Sequence, residues 1–253
     1  MQDLSLRKYL ETVDLHNLLQ ELGAKDIDLT VKEIKHFTEK ETKKRDKIVL
    51  SYFGSCGVKQ IVDAIVTSLT SPPRLKTDAQ VLDMGAGSGY FTTRVAHKLK
   101  KLLPKASFYA MDATPAMLSA LAKKRGRIIP FFGIAENITG SIKNASKYAE
   151  IPAQFDAVFS TLMLHHCPDK NKVFQSLRKV LKSSGKAVIV DLCIHTFTEF
   201  KEEMGDIHPG FDPEEIRKAA KKVFTKVSVK KLPGICCESS GRSAQLFIAT
   251  MRP

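Results

Sequence analysis

The spacing of apolar residues changes near residue 75. Before it, Leu6, Leu10, Val13 and Leu18 recur at roughly helical intervals, and no stretch alternates as a strand would. Thr30-x-x-Glu33 and Thr38-x-x-Glu41 have the form of capping boxes, so helices are expected to begin there. Residues 58–69 predict another apolar helix, stopped by Ser71-Pro72-Pro73. Residues 1–74 are therefore expected to form a helical extension or lid, and residues 75–253 a unit of different construction.

From residue 80 onward, short apolar runs alternate with amphipathic segments. Strands are predicted at 80–84, 107–111, 128–132, 156–161 and 187–192, with two more near 226–231 and 244–251. Helices are predicted at 90–102, 141–148 and 169–181, and after Asp212-Pro213. Another follows Thr114-Pro115, with Thr114 as N-cap and Pro115 at the first helical position. The alternation predicts an α/β fold: a doubly wound, mostly parallel seven-stranded sheet with an N-terminal helical extension. Ligands of such sheets bind at the carboxyl ends of the strands, where strand order reverses.

Candidate chemistry concentrates at the first strand end. Residues 81–92 read VLDMGAGSGYFT. An apolar run ends in Asp83, and Gly85, Gly87 and Gly89 follow before a helix begins. Glycines let the backbone turn tightly and approach a ligand, and the helix start supplies free N–H groups. The spacing is not the G-x-G-x-x-G of a dinucleotide site, and no Gly-Lys-Ser/Thr follows as in a P-loop. Asp83 would repel a pyrophosphate and attract an ammonium group.

D-x-G-x-G-x-G at a strand end resembles the first motif of the class I S-adenosylmethionine-dependent methyltransferases. Residues 78–192 are similar to the small-molecule group that includes the ubiquinone and menaquinone C-methyltransferases. The matching pieces are Phe155-Asp156, Leu164-His165-His166, residues 177–182 (LRKVLK) and Gly185. The resemblance implies S-adenosylmethionine as cofactor, held by Asp83, Gly85, Ala86, Gly87, Gly89, Asp112, Ala113, Ala135, Glu136 and Ser160. Asp112, ending the second strand, is expected at the ribose, where a carboxylate can accept both hydroxyl protons. Ala113 and Met117 are placed near the adenine. After the third strand the family often carries acid-alanine-acid. Here the first of those positions is Ile134, which accepts no side-chain hydrogen bond, so Glu136 or the Ala135 backbone is left for the adenine.

A methyl group on a sulfonium is already activated, so the enzyme needs chiefly to position the nucleophile. If a base is used, His165, His166 and His195 are the candidates, with His208 in the same downstream region. Asp191 either binds a polar substrate group or caps its strand, and Tyr52 is either a site aromatic or core. The Asn/Asp-Pro-Pro-aromatic sequence of base-directed amino-methyltransferases is absent: residues 160–163 read STLM. The acceptor is therefore expected to be a small molecule.

Composition adjusts this picture in three ways. The net charge of +13 includes clusters at 43–47, 98–101, 123–127 and 217–222, which keeps an RNA acceptor open as the alternative. A non-catalytic cofactor-binding protein is the third reading. No run of about 18 apolar residues occurs, so no membrane span is expected. Five cysteines without C-x-x-C spacing predict no metal site and a reducing, cytoplasmic setting. Adjacent Cys236 and Cys237 would point to opposite faces of a strand, which is poor geometry for a shared thiolate ligand such as trivalent arsenic.

Overall fold

The computed structural model describes residues 2–36, 39–124, 126–196, 207–239 and 242–253. Four helices come first: α1 (Gln2–Thr12), α2 (Leu15–Glu21), α3 (Ile27–His36) and α4 (Glu39–Thr70). Then follow β1 (Gln80–Met84), α5 (Tyr90–Leu102), β2 (Ser107–Asp112), α6 (Pro115–Ala122), β3 (Ile128–Phe132), α7 (Ile138–Ala145) and β4 (Phe155–Thr161). The chain ends with α8 (Lys170–Val180), β5 (Leu181–Leu192), α9 (Pro213–Lys221), β6 (Lys226–Ser239) and β7 (Arg242–Arg252).

The seven strands form one sheet in the order β3-β2-β1-β4-β5-β7-β6. Strands β1 to β5 are parallel, and β7 runs antiparallel to both β5 and β6. Strand order reverses between β1 and β4, which places a ligand crevice at their carboxyl ends. Successive residues of a strand face opposite sides of the sheet, and helices cover both. Val188 and Val190 join one core with α4 and α5, whereas Ala187 and Ile189 join the other with α8 and α9.

α4 is the element that changes the domain picture. Ile61, Ile65 and Leu69 are fully buried in the same cluster as Val81, Val95 and Val188. Burial of each such side chain contributes roughly 1.5–3 kcal/mol. A boundary at residue 74 therefore runs through one core, and the second half of α4 is part of the sheet's cover. Residues 42–70 also reach the length and mean hydropathy (1.2) of a membrane span. The burial of these apolar side chains against the sheet gives that hydropathy a role in the core.

α1 to α3 pack separately, with Leu6, Leu18, Leu19, Leu22 and Ile34 against Leu118, Phe132 and Ile134. The helix starts differ from the expected boxes. Asp14 caps α2 through the Asn17 N–H. Asp26, not Thr30, receives the Leu29 N–H at 2.9 Å, and Thr30 lies inside α3, donating to the Asp26 carbonyl. Asp26 offers a carboxylate at that N-terminus, a stronger acceptor than a hydroxyl. Thr38 lies outside the described residues. α7 starts earlier than expected because the Asn137 side chain caps it by accepting from the Gly140 N–H. β5 begins at Leu181, ahead of the expected Ser184-Gly185 turn, with a shift of register against β4.

Candidate active site

The glycine loop leaves β1 and crosses the end of β2. Gly85 and Ala86 donate their N–H groups to the Met111 carbonyl at 2.8 and 3.0 Å. Gly85, Gly87 and Gly89 all have positive φ, at 76°, 53° and 79°. Each is in the left-handed region that side chains rarely adopt. A Cβ on Gly85 would sit 2.0 Å from Met163 Cγ, and one on Gly89 2.1 Å from Leu121 Cδ1. A Cβ on Gly87 would meet nothing within 4 Å. Two glycines are thus required by packing, and the third opens onto the cleft.

That cleft encloses about 1190 Å³, part of it continuous with solvent. Its floor is Gly85, Ala86, Gly87 and Asp112, and its side walls include Ala113, Met117, Ile134, Ala135 and Glu136. Leu162, Met163, His166 and Cys167 come from beyond β4. Ala24, Lys25, Thr30 and Ile34 come from the α2–α3 region, and Arg45 and Val49 from α4. The N-terminal helices therefore form part of the wall, as a lid would.

Asp112 is the central acid. One carboxylate oxygen accepts the Gly87 N–H at 2.7 Å, and the other accepts the Thr114 N–H at 2.8 Å. Thr114 is the N-cap residue of α6 but makes no side-chain capping bond, and its side chain is engaged with Asp112 instead. Burial pushes the Asp112 carboxyl above its ordinary range, against these N–H donors and the positive influence of His166. The carboxylate keeps lone-pair capacity for a ligand hydroxyl.

Asp83 lies beneath the loop and does not line the cleft. Oδ2 accepts from Thr92 Oγ1 at 2.6 Å, and Oδ1 has no hydrogen-bond partner among the described residues. Burial pushes its pKa up to about 7, opposed by Thr92 and reinforced by Asp112. Gly89 and Ser160 are also set back from the cleft, Gly89 against Leu121 and Ser160 in the buried body of β4. Glu136 reaches the wall, and burial raises its carboxyl pKa.

The histidines separate into distinct positions. His165 Nδ1 meets Asp191 Oδ1 at 2.5 Å, both buried, and only the adjacent His166 lines the cleft. Asp191 also accepts N–H groups from Met163 and Leu164, so it fixes the turn that follows β4. His208 docks on that turn, its N–H to the His165 carbonyl and its Nε2 at 3.0 Å from the Cys167 carbonyl. The His195 backbone N–H donates to Pro209, away from the cleft wall. Tyr52 packs against the α4–α5 core. The side chains of Cys236 and Cys237 lie outside the described residues. Among the described residues, no cluster of three or more His, Cys, Asp or Glu could hold a metal ion.

Two wall residues carry no sequence signal. Leu162 has φ 56°, a backbone state uncommon for leucine, and it turns the chain directly off β4. Ser88, inside the glycine loop, donates to Asp46 of α4 at 2.6 Å. Neither contact has a periodicity or motif that would announce it.

A family model described as a methyltransferase domain matches residues 75–234. The chain belongs to the class I S-adenosylmethionine-dependent methyltransferases. Among curated relatives, a malonyl-[acyl-carrier protein] O-methyltransferase of Legionella pneumophila is 29% identical over 124 residues, covering 48% of this chain and 39% of that protein. An arsenite methyltransferase of Homo sapiens is 27% identical over 175 residues, covering 67% of this chain and 42% of that protein. The chain thus matches less than half the length of these relatives. A phosphoethanolamine N-methyltransferase 2 of Haemonchus contortus, solved with S-adenosyl-L-methionine, shares the fold with a TM-score of 0.62 and 17% identity. It covers 96% of this chain and 60% of its own.

The site fits that cofactor on its own geometry. Space over Gly87 lets a nucleoside approach the backbone, and Asp112 offers lone pairs beside it.

Proposed function

We propose that this methyltransferase transfers the methyl group of S-adenosylmethionine to a small-molecule acceptor inside the cleft. The observation that supports this most directly is the enclosure of the glycine loop. Wall residues from the α2–α3 region, from α4 and from the turn after β4 surround one cavity over Gly87 and Asp112. Such a chamber suits a compact acceptor and keeps water from the reacting atoms.

Asp112 receives the ribose hydroxyls, held in place by the Gly87 and Thr114 N–H groups. Asp83, below the loop, adds negative charge on the side of the cofactor's positive end when it is ionised. Met117, Ile134 and Ala135 provide an apolar wall for the adenine, and Glu136 lines the same cleft with a carboxyl acceptor. The cofactor, when bound, supplies an activated methyl group. The chain's own task is then orientation: Met163, Cys167 and Leu162 shape the space next to the loop, and Asp191 with His165 holds that turn still. His166 is the histidine that lines the cleft beside the acceptor space.

The proteins compared above are named for acceptors as unlike as malonyl-[acyl-carrier protein], arsenite and phosphoethanolamine. Acceptor identity is therefore sought by experiment rather than by kinship. Purified protein with labelled S-adenosylmethionine should methylate members of a metabolite panel and leave RNA unlabelled. Transfer confined to RNA would replace the small-molecule reading. Cofactor binding without transfer to any acceptor would favour a binding protein. The buried thiols of Cys167 and Cys193, with no disulfide among the described residues, support placing the enzyme in a reducing, cytoplasmic setting.

A further inference from the structure

We infer that Asp46 is a positioning residue that latches the cleft-facing half of α4 onto the glycine loop, and that release of this latch about Gly54 sets the rate of cofactor exchange. The inference rests on the reading of the cleft as the S-adenosylmethionine site.

α4 is two helices joined at Gly54, whose φ 60° and ψ 173° are not helical. Packing does not demand glycine there, because a Cβ would meet nothing within 4 Å. The backbone conformation does, and it makes a hinge point. Beyond it, Ile61, Ile65 and Leu69 are fixed in the sheet's core, and the buried Lys186 ammonium donates to the Ser71 carbonyl just past the helix. Before it, Arg45 and Val49 face the cleft.

The outer half also packs Val49 and Phe53 into that core, and one carboxylate ties it to the loop. Asp46 Oδ1 accepts from Ser88 Oγ at 2.6 Å, and Oδ2 accepts from Lys124 Nζ at 2.6 Å. Ser88 belongs to the glycine loop, and Lys124 follows α6. Asp46 thus joins three elements around the mouth of the cleft. The Asp46 and Lys124 side chains are 40% and 26% exposed, so water and salt compete for the ion pair. A bond of that kind holds a lid without locking it. Because Ser88 sits between Gly87 and Gly89, the latch acts where a nucleoside must pass.

The test measures binding kinetics of S-adenosylhomocysteine to the full chain by surface plasmon resonance. A latch controls access from both directions, so kon and koff should rise together. Asp46→Ala should speed both about tenfold and leave Kd within about threefold. Lys124→Met should act in the same direction with a smaller effect, and it carries the test if Asp46→Ala fails to fold. Asp46→Glu should recover part of the wild-type rates. Raising salt from low to high should speed exchange in the wild type but not in Asp46→Ala. Rates equal to wild type in both variants would overturn the latch, as would a rise in koff alone with a matching loss of affinity. Failure of the wild type to bind the ligand would remove the cofactor reading, and the latch with it.

Discussion

His165 Nδ1 and Asp191 Oδ1 lie 2.5 Å apart, and neither side chain reaches solvent. Asp191 is the penultimate residue of β5, while His165 belongs to the turn after β4. The same carboxylate accepts backbone N–H groups from Met163 at 3.1 Å, Leu164 at 2.7 Å and Leu192 at 2.7 Å. A single buried charge therefore organises the wall that carries Met163, His166 and Cys167 into the cleft. Burial alone would raise the Asp191 pKa, but His165 and these donors hold it below the usual carboxylate range.

Asp191→Ala should lower stability by about 3–5 kcal/mol, the scale for breaking a buried charge pair. Urea unfolding at neutral pH checks this. A carboxyl with a depressed folded pKa contributes stability above its unfolded pKa and loses it as pH falls through the folded value. The wild type should thus lose this contribution below about pH 4, the ordinary range of an unfolded carboxyl, and the variant should lack that part of the acid transition.

The three loop glycines should respond differently to alanine. Gly85→Ala and Gly89→Ala place a Cβ about 2 Å from Met163 and Leu121, so thermal melting should show clear destabilisation. Gly87→Ala meets no neighbour, and its folded-state cost is mainly the strain of φ 53°. It should remain folded, at a cost of about 1–2 kcal/mol, while calorimetric binding of S-adenosylhomocysteine is reduced more than tenfold. Equal melting losses for all three would contradict this division.

Asp83 gives the site a pH signature. Its folded pKa, about 7, stands above its unfolded value. Its stabilising contribution is full below the unfolded value and is lost as pH rises through 7. Asp83→Asn should therefore be more stable than the wild type at pH 8, by a few kcal/mol at most, with the difference vanishing near pH 4. If the ionised form favours a cationic ligand, wild-type affinity for S-adenosylmethionine should grow as pH passes from 6 to 8. Titration calorimetry of the wild type and of Asp83→Asn at both values measures it.

Cys167 should be chemically quiet despite its place in the wall. Burial pushes its thiol well up, reinforced by Glu136, Asp191 and Asp112. A maleimide pulse on the native protein should label the exposed Cys56 ahead of Cys167 and Cys193, which stay largely unmodified. Rapid labelling at Cys167 would indicate a wall that opens freely.

The sheet and the glycine loop were legible because their signals are local. The 80–84 and 128–132 strands were read with the observed bounds, since each is a short apolar run ended by turn residues. Asp112 was legible as a strand-end acid, and it lines the cleft. Asp83, Gly89 and Ser160, expected as contacts, lie behind the wall. Spacing reports which strand end a residue occupies but not how deep its side chain sits. The roles of Asp46, Ser88 and Lys124 were invisible, because they meet across 42 and 78 positions of sequence. The Asp191–His165 pair spans 26 positions and joins two strand ends that only the parallel register brings together. The apolar period changes near residue 75, whereas the core continues through α4.

The central claim is that Asp112 and the loop around Gly87 hold the nucleoside of S-adenosylmethionine. A crystal structure of the chain with S-adenosylhomocysteine tests it most directly. The account predicts ribose hydroxyls within hydrogen-bond distance of the Asp112 carboxylate and no side chain between the ligand and Gly87. In solution, Asp112→Ala should weaken binding by about 1–3 kcal/mol. A ligand seated elsewhere, with Asp112 untouched, would contradict it.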